Sequence, residues 1–134
     1  NIMKRPFMFS ATILALLIFA SCEKDIFEDD IDNRDKFVGT WSVSDQILAK
    51  ANYRVTITKD DQNSVKMWIS NFNGLMDKAF VYVDKNDVEL PQQNVSEFIV
   101  KGDGVLQGQN TIKWIYWVND GAQQDTIQAT YQKN

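Results

Sequence analysis

Side chains that commonly carry catalysis are scarce in this chain of 134 residues. It contains no histidine and a single cysteine, Cys22. The commonest general base and the commonest metal ligand are therefore both missing, and no Ser/His/Asp or Cys/His set can be assembled. No glycine-rich loop between a strand and a helix offers a cradle for phosphate. We expect a protein that is not an enzyme and that holds no cofactor.

Carboxylates are the remaining candidates for chemistry. The clusters Glu28-Asp29-Asp30 and Asp60-Asp61 carry oxygens of the kind that bind calcium. Their spacing matches no loop with a defined coordination geometry, which favours solvated turns over a metal site. Lys4 and Arg5 are the only charged residues before position 22, so residues 22–134 carry 12 bases against 18 acids, a net charge of −6. An acidic chain without a basic patch is not expected to bind nucleic acid.

The cysteine stands at the end of an N-terminal apolar segment. Met3 is the expected start, Lys4 and Arg5 form a basic region, and residues 7–19 are almost all apolar. This run is shorter than the ~20 residues that span a bilayer as a helix, which disfavours an uncleaved transmembrane anchor. The stretch Phe19-Ala20-Ser21-Cys22 resembles the lipobox of bacterial lipoproteins. The resemblance implies that residues 1–21 are a signal peptide with a helical apolar segment and that Cys22 becomes lipidated.

An acidic segment follows the cysteine. Residues 23–35 contain seven acids and two bases, and such blocks remain solvated and act as tethers. We therefore interpret residues 22–35 as a flexible tether. Its first residues, Cys22-Glu23-Lys24-Asp25, resemble the surface-export signal of lipoproteins in the Bacteroidota. This resemblance implies an outer-membrane lipoprotein of the cell envelope, held at the membrane through Cys22, with exposure at the cell surface as one option.

Residues 36–134 show the period-two pattern of apolar residues that is typical of strands, interrupted by short polar turns. We predict eight strands, at residues 37–44, 53–58, 64–70, 78–83, 88–90, 96–107, 111–118 and 126–131. Short links make neighbouring strands antiparallel. The fold predicted for this domain is all-β: an eight-stranded antiparallel up-and-down meander that closes into a barrel, with a sandwich as the alternative.

Two strands carry residues that disturb regular pairing. Pro91 is expected to end the fifth strand because it lacks a backbone N–H donor. Gly102 and Gly104 lie inside the sixth, where we predict a bend or bulge in one continuous strand. A two-residue turn at Asp103-Gly104 is the alternative, and it would split the sixth strand in two.

The start of the domain resembles a known family. Asp35-Lys36-Phe37-Val38-Gly39-Thr40-Trp41 resembles the Gly-x-Trp opening of lipocalins and related calycins. The resemblance implies that Gly39 and Trp41 form a motif that closes one end of the barrel, where an arginine late in the chain stacks on the tryptophan. No arginine follows Arg54 here, and Lys133 is the nearest cation. The polar, threonine-rich meander is also similar to small lipocalin-like lipoproteins of gut Bacteroidota.

The inner stripes of these strands suggest where a ligand could bind. If the main apolar stripes face inwards, the barrel interior contains Tyr53, Met67, Trp114 and Tyr116. An eight-stranded barrel is either filled by its own side chains or holds one small ligand. We predict a small apolar ligand among these four residues, and a filled core is the alternative.

Two tryptophans fall on the opposite faces of their strands. Trp68 and Trp117 are expected to be exposed, as is common for residues that contact a partner. The second hypothesis for function is therefore a non-catalytic interaction module whose outer aromatic residues bind a protein or a glycan. The loop at residues 71–77 is unusually apolar and is a candidate lid or contact site.

Overall fold

The computed structural model describes residues 31–45 and 52–134. The predicted signal peptide, Cys22 and residues 23–30 of the tether lie outside the described residues. Asn33–Asn134 form a compact unit. Within the described part of the chain, no helix is both long and apolar enough to cross a membrane.

The compact unit is a closed barrel in which every strand pairs antiparallel with its sequence neighbours and β1 also pairs with β8. The prediction of an eight-stranded up-and-down antiparallel barrel is confirmed. The strands are β1 (Gly39–Asp45), β2 (Tyr53–Lys59), β3 (Lys66–Ser70), β4 (Ala79–Asp84), β5 (Asp87–Val95), β6 (Phe98–Gln107), β7 (Thr111–Asn119) and β8 (Gln124–Lys133).

Side chains alternate between the interior of the barrel and its outer surface. In β7 the residues at even positions from Ile112 to Val118 are buried, whereas Lys113 and Ile115 are exposed. The interior residues of all eight strands belong to one hydrophobic core. Closure of the sheet leaves no unpaired edge among these strands, which is why an alternating pattern suffices to define an inside and an outside.

The prediction that Pro91 ends the fifth strand is wrong. β5 continues to Val95, and its pairing with β6 slips by one residue between Leu90 and Gln93. This bulge places Pro91 where the ladder is already interrupted, so its missing N–H is not needed.

The side chain of Gln93 replaces part of the missing ladder between β4 and β5. Its amide oxygen accepts a hydrogen bond from the Phe80 backbone N–H at 2.9 Å. Its amide nitrogen donates to the Phe80 carbonyl and to the Pro91 carbonyl, both at 2.9 Å. The primary amide thus takes the place of a peptide unit and satisfies backbone groups that the bulge would otherwise leave unpaired.

β6 is one continuous strand, as predicted, but the bulge lies elsewhere. From Ile99 to Gln107 its pairing with β7 is regular, and the slip occurs in β5 on its other side. The prediction for β3 starts too early. Val65 does not share the inner face with Met67 and Ile69; it is 46% exposed and lies before the strand, in a turn in which its N–H donates to the Asn63 side chain.

One end of the barrel is closed by the segment before β1. A 3₁₀ turn, Asp35–Phe37, buries Phe37, and Trp41 Nε1 donates to the Phe37 carbonyl at 2.9 Å. The Nζ atom of Lys133 lies 5.3 Å from the centre of the Trp41 ring, in the place where the lipocalin resemblance implies an arginine. A Cβ atom on Gly39 would lie 3.2 Å from Lys133 Cε, so the glycine leaves room for this lysine.

Arg34 fastens the same segment to the turn between β2 and β3. Its Nη1 atom donates to the carbonyls of Asp60, Asn63 and Lys66 at 2.9–3.1 Å. These bonds satisfy three backbone acceptors with a side chain that is itself nearly buried. The entry of the chain into the barrel is therefore fixed at the closed end.

Candidate ligand-binding site

The four residues predicted to line a ligand site all face the barrel interior. Tyr53 is on β2, Met67 is on β3, and Trp114 and Tyr116 are on β7. Met67, Trp114 and Tyr116 are each at most 1% exposed, and the half-buried Tyr53 packs against the same core. The alternation of each strand brings them together because barrel closure points all the inner faces at one axis.

Space for the two large β7 side chains comes from the glycines of β6. Gly102 pairs with Tyr116 and Gly104 pairs with Trp114. A Cβ atom on Gly102 would lie 2.3 Å from Tyr116 Cβ, and one on Gly104 would lie 2.8 Å from the Trp114 ring. Both aromatic side chains therefore lie across β6 at positions that only glycine leaves open.

Three polar atoms in this interior have no hydrogen-bond partner. They are the hydroxyl of Tyr53, the indole Nε1 of Trp114 and the hydroxyl of Tyr131. The Trp114 and Tyr131 rings are 5.5 Å apart, so two of these groups belong to one aromatic pair. Nearly all buried polar groups in proteins are hydrogen-bonded, so three unpaired donors in one interior are an exception.

Tyr131 is an interior residue that the site predicted from the sequence does not include. Its signal was available, since Ile127, Ala129 and Tyr131 alternate with polar residues and share the inner face of β8. Tyr131 is fully buried, and it completes a set of three interior tyrosines with Tyr53 and Tyr116.

The interior tyrosines are neutral hydroxyls over the whole physiological range. Burial raises the pKa of Tyr53 to about 12, with the nearby Tyr116 hydroxyl acting in the opposite direction. Burial also raises the pKa of Tyr116 and of Tyr131 well above the usual value of 10. Each hydroxyl therefore keeps its proton and remains available as a hydrogen-bond donor.

The loop between β3 and β4 fills the barrel end opposite Arg34. Phe72 is fully buried, and its ring centre lies 5.0 Å from that of Tyr116. The Tyr116 hydroxyl donates to Asn73 Oδ1 at 2.6 Å. Leu75 also packs against the core, whereas Met76 is 91% exposed. Of the two roles proposed for this loop, the geometry matches a lid over the interior.

This lid holds an unusual backbone conformation. Asn71, Asn73 and Met76 all have positive φ, between 54° and 59°. Non-glycine residues rarely adopt this region, and the conformation persists only where surrounding contacts impose it. Asp77 contributes such a contact, since its Oδ2 atom accepts a hydrogen bond from the Ser96 N–H at 2.7 Å. The two bonds to Ser96 and Lys78 backbone N–H groups also lower the pKa of the Asp77 carboxyl.

No cavity among the best-formed depressions of the described surface opens onto the centre of the predicted site. Four such depressions lie between strands on the outside or at the closed end, and Tyr53, Met67 and Trp114 line none of them. Phe72, on the loop at the mouth, packs over this interior against Tyr116.

The outer tryptophans are half-buried rather than fully exposed. Trp68 packs edge-on against Phe80 with ring centres 5.9 Å apart, and its Nε1 atom donates to Asp60 Oδ1 at 2.9 Å. Trp117 pairs with Lys101 and Thr126 on the outer face of β7. Both indoles are therefore only partly accessible to solvent.

Acidic residues organise turns in the described part of the chain. Asp60 accepts the Trp68 bond and two backbone N–H bonds from Gln62 and Asn63, and these contacts lower the pKa of its carboxyl. Among residues 31–45 and 52–134, no group of three acidic or cysteine side chains is placed to hold a metal ion.

No model of a known protein family matches the sequence, and no curated protein matches it either. The barrel itself is consistent with a lipocalin-like fold.

Proposed function

We propose that this barrel binds a small, mainly apolar ligand in its interior. The observation that carries the proposal is the group of three buried donors without partners at Tyr53, Trp114 and Tyr131. Each unpaired buried polar group costs about 1–3 kcal/mol. A ligand that supplies acceptors at this place recovers part of that energy, and the aromatic walls bury its apolar part.

Binding of N-phenyl-1-naphthylamine, an apolar fluorescent probe, tests this function. We expect the full chain in lipid nanodiscs to show a saturable one-to-one signal above that of empty nanodiscs. Ala79→Leu should weaken binding at least about ten-fold, because Ala79 is fully buried on the inner face of β4 and the larger side chain takes up interior volume.

Ala122→Leu is the matched control, since Ala122 is exposed in the turn between β7 and β8. It should leave probe binding unchanged. A signal that rises linearly without saturation, or one that Ala79→Leu does not alter, would contradict an interior site.

We further propose that the barrel belongs to a lipoprotein of the cell envelope. The support is the sequence pattern at Cys22, the acidic stretch behind it and the resemblance to small lipocalin-like lipoproteins of the Bacteroidota. In this proposal the lipidated Cys22 holds the protein at the outer membrane, the residues before Asn33 act as the tether, and the barrel carries the ligand; Arg34 and Asp35, which the sequence assigned to the tether, belong to the barrel unit. No catalytic step is part of the proposed function.

A second candidate function, an interaction module, is favoured by the outer face of β3 and β4. Trp68, Phe80 and Tyr82 form a row with ring centres 5.9 and 5.8 Å apart. Lys66 Nζ and Lys78 Nζ lie 4.6 and 4.4 Å from the Trp68 ring. A partially exposed aromatic row is typical of surfaces that bind a protein or a glycan.

Affinity electrophoresis in gels that contain a soluble glycan tests the glycan version. We expect retardation of the wild-type chain that Trp68→Ala abolishes and that Tyr53→Phe, a change inside the barrel, preserves. Equal mobility of all three proteins in every gel would contradict glycan binding.

A further inference from the structure

The polar groups of the interior differ in what they demand of a ligand. An indole Nε1 only donates, so Trp114 requires an acceptor. The hydroxyl of Tyr131 can donate as well and has no hydrogen-bond partner in the barrel, and the Tyr53 hydroxyl has that of Tyr116 as its nearby polar neighbour. Tyr116 already donates to Asn73. The interior therefore lacks hydrogen-bond acceptors for its donors.

We infer that the ligand's polar group is an uncharged hydrogen-bond acceptor, such as the carbonyl of a ketone or an ester, and not a carboxylate. This inference rests on the proposed interior binding site and names the chemical class of its ligand. It follows from the unpaired donors together with the distribution of charge around them.

The interior of the described barrel offers no positive charge to an anion. Arg34 is the one charged residue among the described residues that is buried, and it lies at the closed end, bonded to turn carbonyls. The core around Trp114 and Tyr131 is made of apolar and aromatic side chains. A carboxylate moved from water into such a place loses its hydration without gaining a cation.

The negative charge near the mouth acts in the same direction. Asp45 ends β1, and its carboxylate is close enough to Tyr53 and Tyr116 to disfavour a negative charge on either hydroxyl. Asp77 lies in the lid and is held ionised by two backbone N–H groups. A negative charge placed beside the Tyr53 and Tyr116 hydroxyls is therefore disfavoured, whereas a neutral carbonyl is not.

Three ligands with matched chains separate the possibilities: 2-undecanone, decanoate and undecane. 2-Undecanone and decanoic acid carry the same alkyl chain on a carbonyl, which bears a methyl group in the ketone and a hydroxyl in the acid. Undecane lacks the carbonyl acceptor. Calorimetric titration of the full chain in nanodiscs, corrected for partition into empty nanodiscs, gives the affinities. At pH 7.5 we expect the ketone to bind at least about ten-fold more tightly than decanoate and about three- to ten-fold more tightly than undecane.

The pH dependence of the acid provides an internal check. Decanoic acid becomes neutral as the pH falls through the pKa of its own carboxyl, roughly 4.3–5 for an aliphatic acid. Its affinity should therefore rise towards that of 2-undecanone between pH 7.5 and 4, while the affinity for the ketone stays constant. If the affinity for 2-undecanone changes with pH as much as the affinity for decanoic acid does, the pH dependence arises from the protein. That result would overturn the inference.

Tyr131→Phe removes one unpaired hydroxyl and nothing else. We expect this variant to bind 2-undecanone about three- to ten-fold more weakly and to bind undecane with unchanged affinity. The melting temperature of the ligand-free chain should not fall, because the hydroxyl that is removed has no hydrogen-bond partner. Tyr82→Phe, on the outer face, is the matched control and should alter neither affinity. If Tyr131→Phe lowers the melting temperature, Tyr53→Phe provides the same comparison at the second hydroxyl.

The outcomes distinguish this inference from the function on which it rests. Decanoate that binds as tightly as the ketone at pH 7.5 overturns the neutral acceptor and leaves interior binding in place. Equal affinities for ketone and alkane, or a ketone affinity unaltered by both tyrosine variants, overturn it as well. If none of the three ligands binds, the proposed interior site itself is wrong.

Discussion

Single residues decide how the interior of this barrel is packed, and Gly102 is the clearest case. Its pairing partner, Tyr116, lies so close that a Cβ atom at position 102 would be 2.4 Å from the Ile115 carbonyl oxygen and 2.5 Å from Tyr116 Cα. These are backbone atoms, which cannot rotate away as the end of a flexible side chain can. The absence of a side chain at Gly102 is therefore a condition for the position of Tyr116.

Gly102→Ala should destabilise the barrel by about 3 kcal/mol, as expected for a substitution that forces strands apart. Gly108→Ala is the control. Gly108 has a φ of +67° but no atom within 4 Å of its added Cβ, so only the strained conformation contributes, about 1 kcal/mol. Urea unfolding measures both. Equal losses for the two variants would show that close approach to β7 is not what requires Gly102.

At the scale of elements, the loop between β3 and β4 is the part of the barrel that connects packing to function. It buries Phe72 against Tyr116, and its backbone is held in a left-handed conformation at three non-glycine residues. The loop also covers the end of the barrel towards which the interior tyrosines point their hydroxyls, since the Tyr116 hydroxyl bonds to Asn73. This loop is therefore the expected route by which a ligand reaches the interior.

Phe72→Ala should affect stability and ligand entry in opposite directions. Loss of the buried ring costs about 3 kcal/mol of unfolding free energy, and the emptied mouth should accelerate association of N-phenyl-1-naphthylamine. Met76→Ala, in the same loop but 91% exposed, should change neither quantity. Stopped-flow fluorescence gives the association rate. If Phe72→Ala leaves that rate unchanged, the ligand does not enter through this loop.

At the scale of the whole molecule, the barrel does not depend on Cys22 for a disulfide. The single cysteine cannot form an intramolecular disulfide, and the barrel closes through Asn33–Asn134 alone. Lipid anchoring rests on acyl chains, which contribute about 0.8 kcal/mol per buried methylene, so that two chains hold a protein stably where one does not. In the proposed arrangement the acidic residues 23–35 would be repelled by anionic headgroups and would not assist attachment.

Cys22→Ser should release the protein from its lipid without altering the barrel. We expect the wild-type chain in the membrane fraction with incorporated labelled fatty acid. The serine variant should incorporate none and should have the same near-ultraviolet circular dichroism. Wild-type chain in the soluble fraction, or label incorporated by the Cys22→Ser variant, would contradict the lipoprotein proposal.

The local pattern of the sequence determined the number of strands, their antiparallel order and the inward direction of Tyr53, Met67, Trp114 and Tyr116. These properties depend on period-two alternation and on turn residues, which act over a few positions. The same pattern indicated that β6 is one strand. It carries the prediction of a lipidated Cys22, which lies outside the described residues.

Only the tertiary structure decided how strands that are distant along the chain meet. β5 continues past Pro91 because the Gln93 side chain bonds to the backbone of Phe80. The cation over the Trp41 ring is that of Lys133, which lies at the other end of the domain sequence. The three unpaired donors likewise come from β2, β7 and β8. Such contacts are set by register and closure of the barrel, which combine all eight strands at once, and no short stretch of sequence contains that information.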